Sequence, residues 1–564
     1  MFKQRIEEDL KQAVQSLGFP PTDIVCSIPK NPGFGDYSTN VALRLAKHKG
    51  LEGKQSAQEI AKKILGHLGN LSYLGKAEVA GGGFINLFLK DEELLSHLSN
   101  LSDLGNLRKP SKIFVEYGHT NPLKEVHIGH LRTFILGESL CRILEEVGNQ
   151  VFRANYQGDI GLHIANATWG IKKLGLPSRD LSLEEKAEFM GKSYAKGNIA
   201  YEEDPQAKKE IDAVNISLYQ KDKQFSEIYK LAREWSLDYF EPIYALLGVK
   251  YDRCFFESEV FERGKEIVLE SKIFTKSEGA VIFPGEKYGL HNRVFITSAG
   301  NPTYEGKEMG LAELEYKTFE YDKAIHVVAH EQAGYFEVVF KAIGMIFPQL
   351  EGKKYHLSYG LVDLKEGKMS SRTGSVITID DLVKVVSEKV REVMKGSEGE
   401  KDPVDPSSID QEIVKKVAIG AIKFAYLKFS PSPNMVFDLE ESVSLDGDSG
   451  PYVQYTYARI QSVLKKSLSN LDNLSNLSLE RQERALLRQL MYFPEIILEA
   501  ARSYHPNLIA TYLIELSRLF NLFYQECRII GSEKEDFRLK LSSQVAEVLK
   551  KGLYLLGIEA PERM

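Results

Sequence analysis

The stretch from Lys112 to Tyr156 constrains the fold of this chain more tightly than any other. KIFVEY at 112–117 is a short, nearly continuous apolar run, as expected of a strand buried on both faces. A loop of Gly, Asn and Pro follows. From about Gly129, Leu131, Ile135, Leu136, Leu140, Ile143, Leu144 and Val147 recur at three- and four-residue steps. That spacing predicts a helix, closed by Gly148. QVFRANY at 150–156 supplies a second strand. Strand, short loop, helix and strand make a βαβ unit, which commits the region to a parallel sheet.

At 564 residues the chain exceeds what one core can hold and implies three or four domains. Residues 1–105 alternate helical and strand-like pieces (FGDYSTNVALRLAK, GGGFINLFL) and read as an α+β module. LSNLSDLGNLRKP at 98–110 reads as a linker, and the Lys/Glu-rich, helically spaced 176–250 as an insertion. Strand character returns at RVFIT (293–297), AIHVVA (324–329) and YHLSYGLVDL (355–364), the last expected to be one strand. Beyond GSEGEKDPVDPSS (396–408) everything reads as helix.

Charges interspersed through MFKQRIEEDLKQAV argue for an amphipathic helix and against a secretory leader, and no apolar run is long enough to span a bilayer. Cys26, Cys141, Cys254 and Cys527 are scattered, with no CxxC pair, and read as reduced thiols of a cytosolic protein. A net charge of −7 means that any nucleic-acid partner must meet a local basic surface.

Two stretches carry chemistry. In HIGHLR, His127 and His130 flank Ile128 and Gly129 where a helix begins. Helix N-termini favour phosphate, Gly129 lets a base or ribose approach the backbone, and the imidazoles can donate to phosphoryl oxygens. LKEGKMSSRTGSVITIDDLV (364–383) is a basic, hydroxyl-rich loop suited to gripping a polyphosphate. Surface histidines near a turn and an exposed polar hairpin are the other readings of these stretches.

Together the motifs resemble HIGH and KMSKS, the signatures of class I aminoacyl-tRNA synthetases. EYGHTNPLKEVHIGHLR, NYQGDIG, HEQAGYF, FDLEESVSLDGDSGPYVQYTYARI and the terminal GIEAPERM resemble blocks of the arginyl-tRNA synthetase family. The resemblance implies an α/β fold: a Rossmann-type parallel-sheet catalytic domain (110–175 and 251–362) with an inserted helical region (176–250). It adds an α+β N-terminal domain that touches the tRNA elbow (1–105), a KMSKS-like loop and stem (363–410), and an all-α DALR-type anticodon-binding bundle (411–564).

The activity implied is ATP-dependent formation of arginyl-adenylate and pyrophosphate, followed by transfer of arginine to the terminal adenosine of tRNA(Arg). Residues implied to bind ATP are His127, Gly129, His130, Lys368, Met369, Ser370 and Ser371. His127, His130, Lys124 and Lys368 are the catalytic candidates; Ser371 stands where a second loop lysine is expected, and Lys124 could supply the missing charge. A guanidinium requires carboxylates. By position Glu116 and Asn121 would hold the amino-acid end or its charge, and Tyr304, Glu308 and Gln332 would line the side-chain pocket, with Glu308 where the family usually has Asp. Candidates for tRNA contact are Phe34, Asp36, Tyr37 and Asn40, and in the bundle Tyr455, Tyr512 and Met564. Mg²⁺ is expected with the ATP phosphates, no dedicated metal site is visible, and the protein is expected to be a cytoplasmic monomer. The alternatives are a class I synthetase for another amino acid, a nucleotidylyltransferase, and a synthetase-like RNA-binding protein that has lost activation.

Overall fold

In the computed structural model of the chain, Lys112–Glu116 is the middle strand of a five-stranded sheet. The order is Lys354–Tyr359, Lys323–Ala329, Lys112–Glu116, Gln150–Gln157, Arg253–Phe256, and every pairing is parallel. The described residues are 1–564 without 49–54, 69–70, 99–109, 125, 178–180, 366–377, 396–409 and 467–477. The chain winds outward from the middle strand in one direction, then returns to build the other side. A crevice therefore opens beyond the C-terminal strand ends, between Glu116 and Ala329.

The middle strand is buried on both faces, as its apolar run requires. Ile113 and Val115 join the core beneath the helix Ile128–Glu146, with Leu131, Phe134 and Leu140. Phe114 points the other way and stacks on Phe152, ring centroids 5.4 Å apart. Each such buried side chain contributes about 1.5–3 kcal/mol.

Arg293–Ile296 is a strand, as expected, and lies in a separate antiparallel sheet with Thr275–Ser277 and Ala280–Phe283. Apolar alternation identifies a strand but not its partners. YHLSYGLVDL is two strands, Lys354–Tyr359 and Val362–Leu364, divided at Gly360, where a Cβ would sit 2.3 Å from the Pro433 carbonyl carbon. Val362–Leu364 pairs with Met435–Phe437, so the region after 408 is not wholly helical. Three residues are too few for alternation to show.

Arg132 ties these parts together. Its guanidinium is buried and donates to the carbonyls of Gly360 (2.7 Å), Leu361 (3.1 Å), Pro431 (2.8 Å), Pro433 (3.0 Å) and Ser430 (3.5 Å). The helix that starts at the histidines is thus fixed to the segment that enters the 366–377 loop.

The insertion forms helices Leu183–Glu203, Pro205–Tyr219 and Lys223–Leu246. Ser182 and Glu185 make a reciprocal cap on the first, and Asp204 caps the second ahead of Pro205. The third helix holds the strand-to-helix loop: the Ser236 hydroxyl accepts from the Leu123 N–H at 2.9 Å, and the Tyr244 hydroxyl lies 2.7 Å from that of Thr120. Asp159 is more than a turn residue. It is fully buried, pairs with Arg233 at 2.9 Å and accepts from the Tyr229 and Ser258 hydroxyls, bracing the insertion against the sheet.

The N-terminal module packs the helix Phe2–Ser16 with a four-stranded antiparallel sheet, and helices Arg481–Ser503, Asn507–Glu526 and Glu535–Leu555 build the C-terminal bundle. Among the described residues no helix is long and apolar enough to cross a membrane.

Arg132→Ala leaves several buried carbonyls without a donor. We expect a loss of roughly 3 kcal/mol or more in unfolding free energy, measured by denaturant titration followed by circular dichroism.

Candidate active site

The helix Ile128–Glu146 begins with two imidazoles in the role usually taken by Ser and Glu. His127 is the N-cap, with extended backbone, and its Nδ1 accepts from the Gly129 N–H at 3.1 Å. His130 reaches back, and its Nδ1 accepts from the His127 N–H at 3.2 Å. The rings lie 4.1 Å apart. Because both Nδ1 atoms accept from backbone, each neutral ring carries its proton on Nε2. Burial, then the His127 charge, pushes His130 down to about 3; burial and Lys124 lower His127. Two neutral donors are thereby set at a helix N-terminus, where anionic oxygens are stabilised.

Gly129 is required by this cap. A Cβ there would lie 2.8 Å from His127 Cε1 and 2.9 Å from Nδ1. The preceding loop is strained: His119 and Leu123 have φ of 53° and 65°.

Lys368, Met369, Ser370 and Ser371 lie outside the described residues. The flanks of their loop are described. Lys365 pairs with Asp438 at 2.5 Å, and Thr378, the first described residue after the loop, forms an antiparallel bridge with His127. The Lys124 ammonium lies 5.0 Å over the Tyr194 ring and close enough to depress both histidines.

Deeper in the crevice the carboxylates of Glu116, Glu308 and Glu315 are buried together. Tyr335 donates to Glu308 Oε1 at 3.2 Å, His326 Nδ1 is 3.1 Å from Glu116 Oε1, and Lys354 pairs with Glu315 at 2.6 Å. One oxygen of each carboxylate, Glu116 Oε2, Glu308 Oε2 and Glu315 Oε1, has no hydrogen-bond partner. Burial, then Glu116, pushes Glu308 well above the usual carboxylate range; burial raises Glu315 to about 7 against the pull of Lys354. Three acids face one ammonium, since burial and Lys354 keep His326 neutral.

Three regions match known families: residues 3–89 the arginyl tRNA synthetase N terminal domain, 93–439 the class I (R) tRNA synthetase catalytic domain, and 453–564 the DALR anticodon binding domain. A curated relative named arginine–tRNA ligase, from Porphyromonas gingivalis, is 30% identical over 100% of this chain and 99% of its own. Another of that name, from Bdellovibrio bacteriovorus, is 32% identical over 87% of each. The solved arginyl-tRNA synthetase of Thermus thermophilus superposes with a TM-score of 0.82 at 26% identity, covering 100% of both chains. The chain belongs to the arginyl-tRNA synthetase family.

Within this synthetase, Glu116 and Glu308 are buried close enough for each carboxylate to feel the other. Asn121 Oδ1 accepts from the Gly158 N–H at 2.9 Å. Tyr304 is 58% exposed at the mouth, near the buried Glu257–Lys307 pair (2.6 Å). Gln332 is exposed at the start of the helix Ala333–Ile346.

Three of the tRNA candidates are corrected. Asp36 is fully buried, bonds to Arg484 at 2.9 Å and accepts from the Leu89 N–H; Tyr37 is fully buried and donates to Glu495 at 2.7 Å. Both join the N-terminal module to the bundle and cannot face RNA. Tyr512 is buried, donates to the Gln489 carbonyl at 2.8 Å and stacks on Phe493, as an aromatic at helical spacing usually does. Phe34 and Asn40 are exposed, and Met564 is half-buried against the bundle core. Tyr455 is half-buried with Arg459 4.8 Å over its ring, and Arg459 also lies 5.5 Å over exposed Tyr524.

Sequence reasoning missed Arg132, Glu315, His326 and Lys354 as parts of the site. An ionisable residue inside the apolar run AIHVVA was the available signal for His326.

Gly129→Ala drives a methyl group into His127. We expect the rate of pyrophosphate exchange to fall on the order of 100-fold with the melting temperature little changed.

Proposed function

We propose that the protein binds Mg-ATP over the histidine cap and L-arginine in the acidic pocket, and joins them to arginyl-adenylate. The single observation that carries this reading is the buried pair Glu116 and Glu308, each with an unpartnered oxygen, beside a helix N-terminus that presents two imidazole donors. A guanidinium offers five donors in a rigid fork and never deprotonates, which meets what the pocket lacks. Tyr304 and Gln332 border this pocket, and Asn121 holds the amino-acid end.

The arginine carboxylate attacks the α-phosphorus, and the bond to the bridging oxygen of pyrophosphate breaks in line. His127 and His130 donate through Nε2–H to phosphoryl oxygens as charge builds there. Lys124 and, from the loop, Lys368 with Met369, Ser370 and Ser371 neutralise the leaving pyrophosphate. Positioning and charge compensation supply the rate, about 3 kcal/mol for one such donor. The 2′-OH of the terminal adenosine of tRNA(Arg) then attacks the carbonyl carbon and AMP leaves.

Mg²⁺ enters with the nucleotide as part of the substrate. Among the described residues the one cluster with metal-ligand spacing is Glu116, Glu315 and His326, and two of its members, Glu315 and His326, already bond the Lys354 ammonium. Exposed Tyr524, with half-buried Tyr455 and Arg459 beside it, supports anticodon stacking by the bundle, with Phe34 and Asn40 left for the tRNA elbow and Met564 at the bundle's end. We take the enzyme to act as a cytoplasmic monomer.

Pyrophosphate exchange screened over the twenty amino acids, with and without tRNA, tests the reading. Arginine alone should support exchange; exchange with another amino acid, or with none on folded protein, contradicts it.

A pH dependence follows. The groups facing Glu308 are Glu116, Glu315, Lys354 and Tyr335. Its raised pKa keeps it protonated in the free enzyme until the pH climbs well past the carboxylate range, and a guanidinium binds its ionised form. Arginine binding therefore releases a proton. KM for arginine should fall as pH rises, by at most tenfold per unit, and level off once Glu308 is ionised in the free enzyme. Glu308→Gln should flatten that slope and raise KM on the order of 100-fold, measured by aminoacylation across pH.

A further inference from the structure

We propose that Lys354 and His326 are positioning residues that engage Glu116 Oε1 and leave Oε2 open for the substrate cation. The inference rests on the reading of Glu116 as an arginine ligand. Its basis is a continuous buried chain of contacts. Lys354 Nζ donates to Glu315 Oε2 at 2.6 Å and to His326 Nε2 at 3.2 Å, and His326 Nδ1 lies 3.1 Å from Glu116 Oε1.

Ammonium has donors only, so His326 Nε2 must accept. The single proton of the neutral imidazole is then on Nδ1 and is given to Glu116 Oε1. Glu116 Oε1 is engaged in this way, and Oε2 is buried and without a partner.

The parallel register builds the relay. His326 is the direct partner of Glu116 on one side and of His356 on the other, and Lys354 pairs with Ala324 two residues earlier, on the same sheet face. The donor atoms of Glu116, Glu315 and His326 fall within 4.8 Å of one another, as in a metal site. Here the Lys354 ammonium already bonds two of the three, Glu315 and His326. His326 and Lys354 are fully or almost fully buried and sit behind Glu116. Facing Glu116 are His119 at 3.9 Å, His326, Glu308 and Glu315; facing His326 are Lys354, Glu315, His119 and His356.

The test compares Glu116→Gln, His326→Leu, His326→Gln and the double variant Glu315→Gln/Lys354→Met in the full-length enzyme. Aminoacylation is measured against arginine and against ATP across pH. His326→Leu should raise KM for arginine about tenfold. It should leave kcat and KM for ATP nearly unchanged. His326→Gln, whose amide can accept from Lys354 and donate to Glu116, should restore KM for arginine. The double variant removes the pair without leaving a lone charge and frees the His326 tautomer, so it should shift arginine parameters in the same direction; it carries the test if His326→Leu does not fold. The relay is overturned if the variants leave KM for arginine in place, or raise both KM values together, while Glu116→Gln loses arginine dependence. A normal KM for arginine in Glu116→Gln overturns the underlying reading, and the relay with it.

Discussion

Buried negative charge at the C-terminal edge of the parallel sheet is the constraint around which the rest of this molecule is arranged. Glu116, Glu308 and Glu315 are held out of water with a single lysine among them. Isolated buried carboxylates are costly, and proteins normally neutralise or pair them. Here the deficit is left standing, with Glu308 pushed toward its protonated form by burial and by Glu116. A site kept short of one cation discriminates strongly for a permanently charged, multidentate one, because any neutral occupant leaves carboxylate oxygens unmet.

The surrounding architecture keeps those carboxylates near the histidine cap. The middle strand ends in Glu116, and eleven residues later the same chain reaches the His127 cap. The loop between them is held in a strained shape by Ser236 and Tyr244 of the insertion. Arg132, five residues past His127, ties the same helix to the strand segment that enters the 366–377 loop, and Thr378 returns from that loop directly to His127. Chemistry and anchoring therefore share one helix.

Much of this was legible in the chain, for physical reasons that differ by element. The apolar run at 112–117 and the three- and four-residue spacing from Leu131 to Val147 identify a buried strand and its helix because periodicity is set by local geometry. The separate sheet containing Arg293–Ile296 and the short Met435–Phe437 strand were not, since pairing depends on register with distant residues. The histidine cap stands out as a motif, while the tautomers that make it a donor pair need coordinates. Asp36, Tyr37 and Tyr512 look like RNA contacts in sequence and turn out to be interior joints, because exposure is not written into residue type. Lys354 and His326 carry no motif at all; only the parallel register brings them behind Glu116.

The most direct measurement is a crystal structure with a non-hydrolysable arginyl-adenylate analogue. The account places the guanidinium nitrogens within hydrogen-bonding distance of Glu116 Oε2 and Glu308 Oε2, and the linkage oxygens against Nε2 of His127 and His130. A guanidinium bound elsewhere, with those two carboxylate oxygens still unmet, would contradict it.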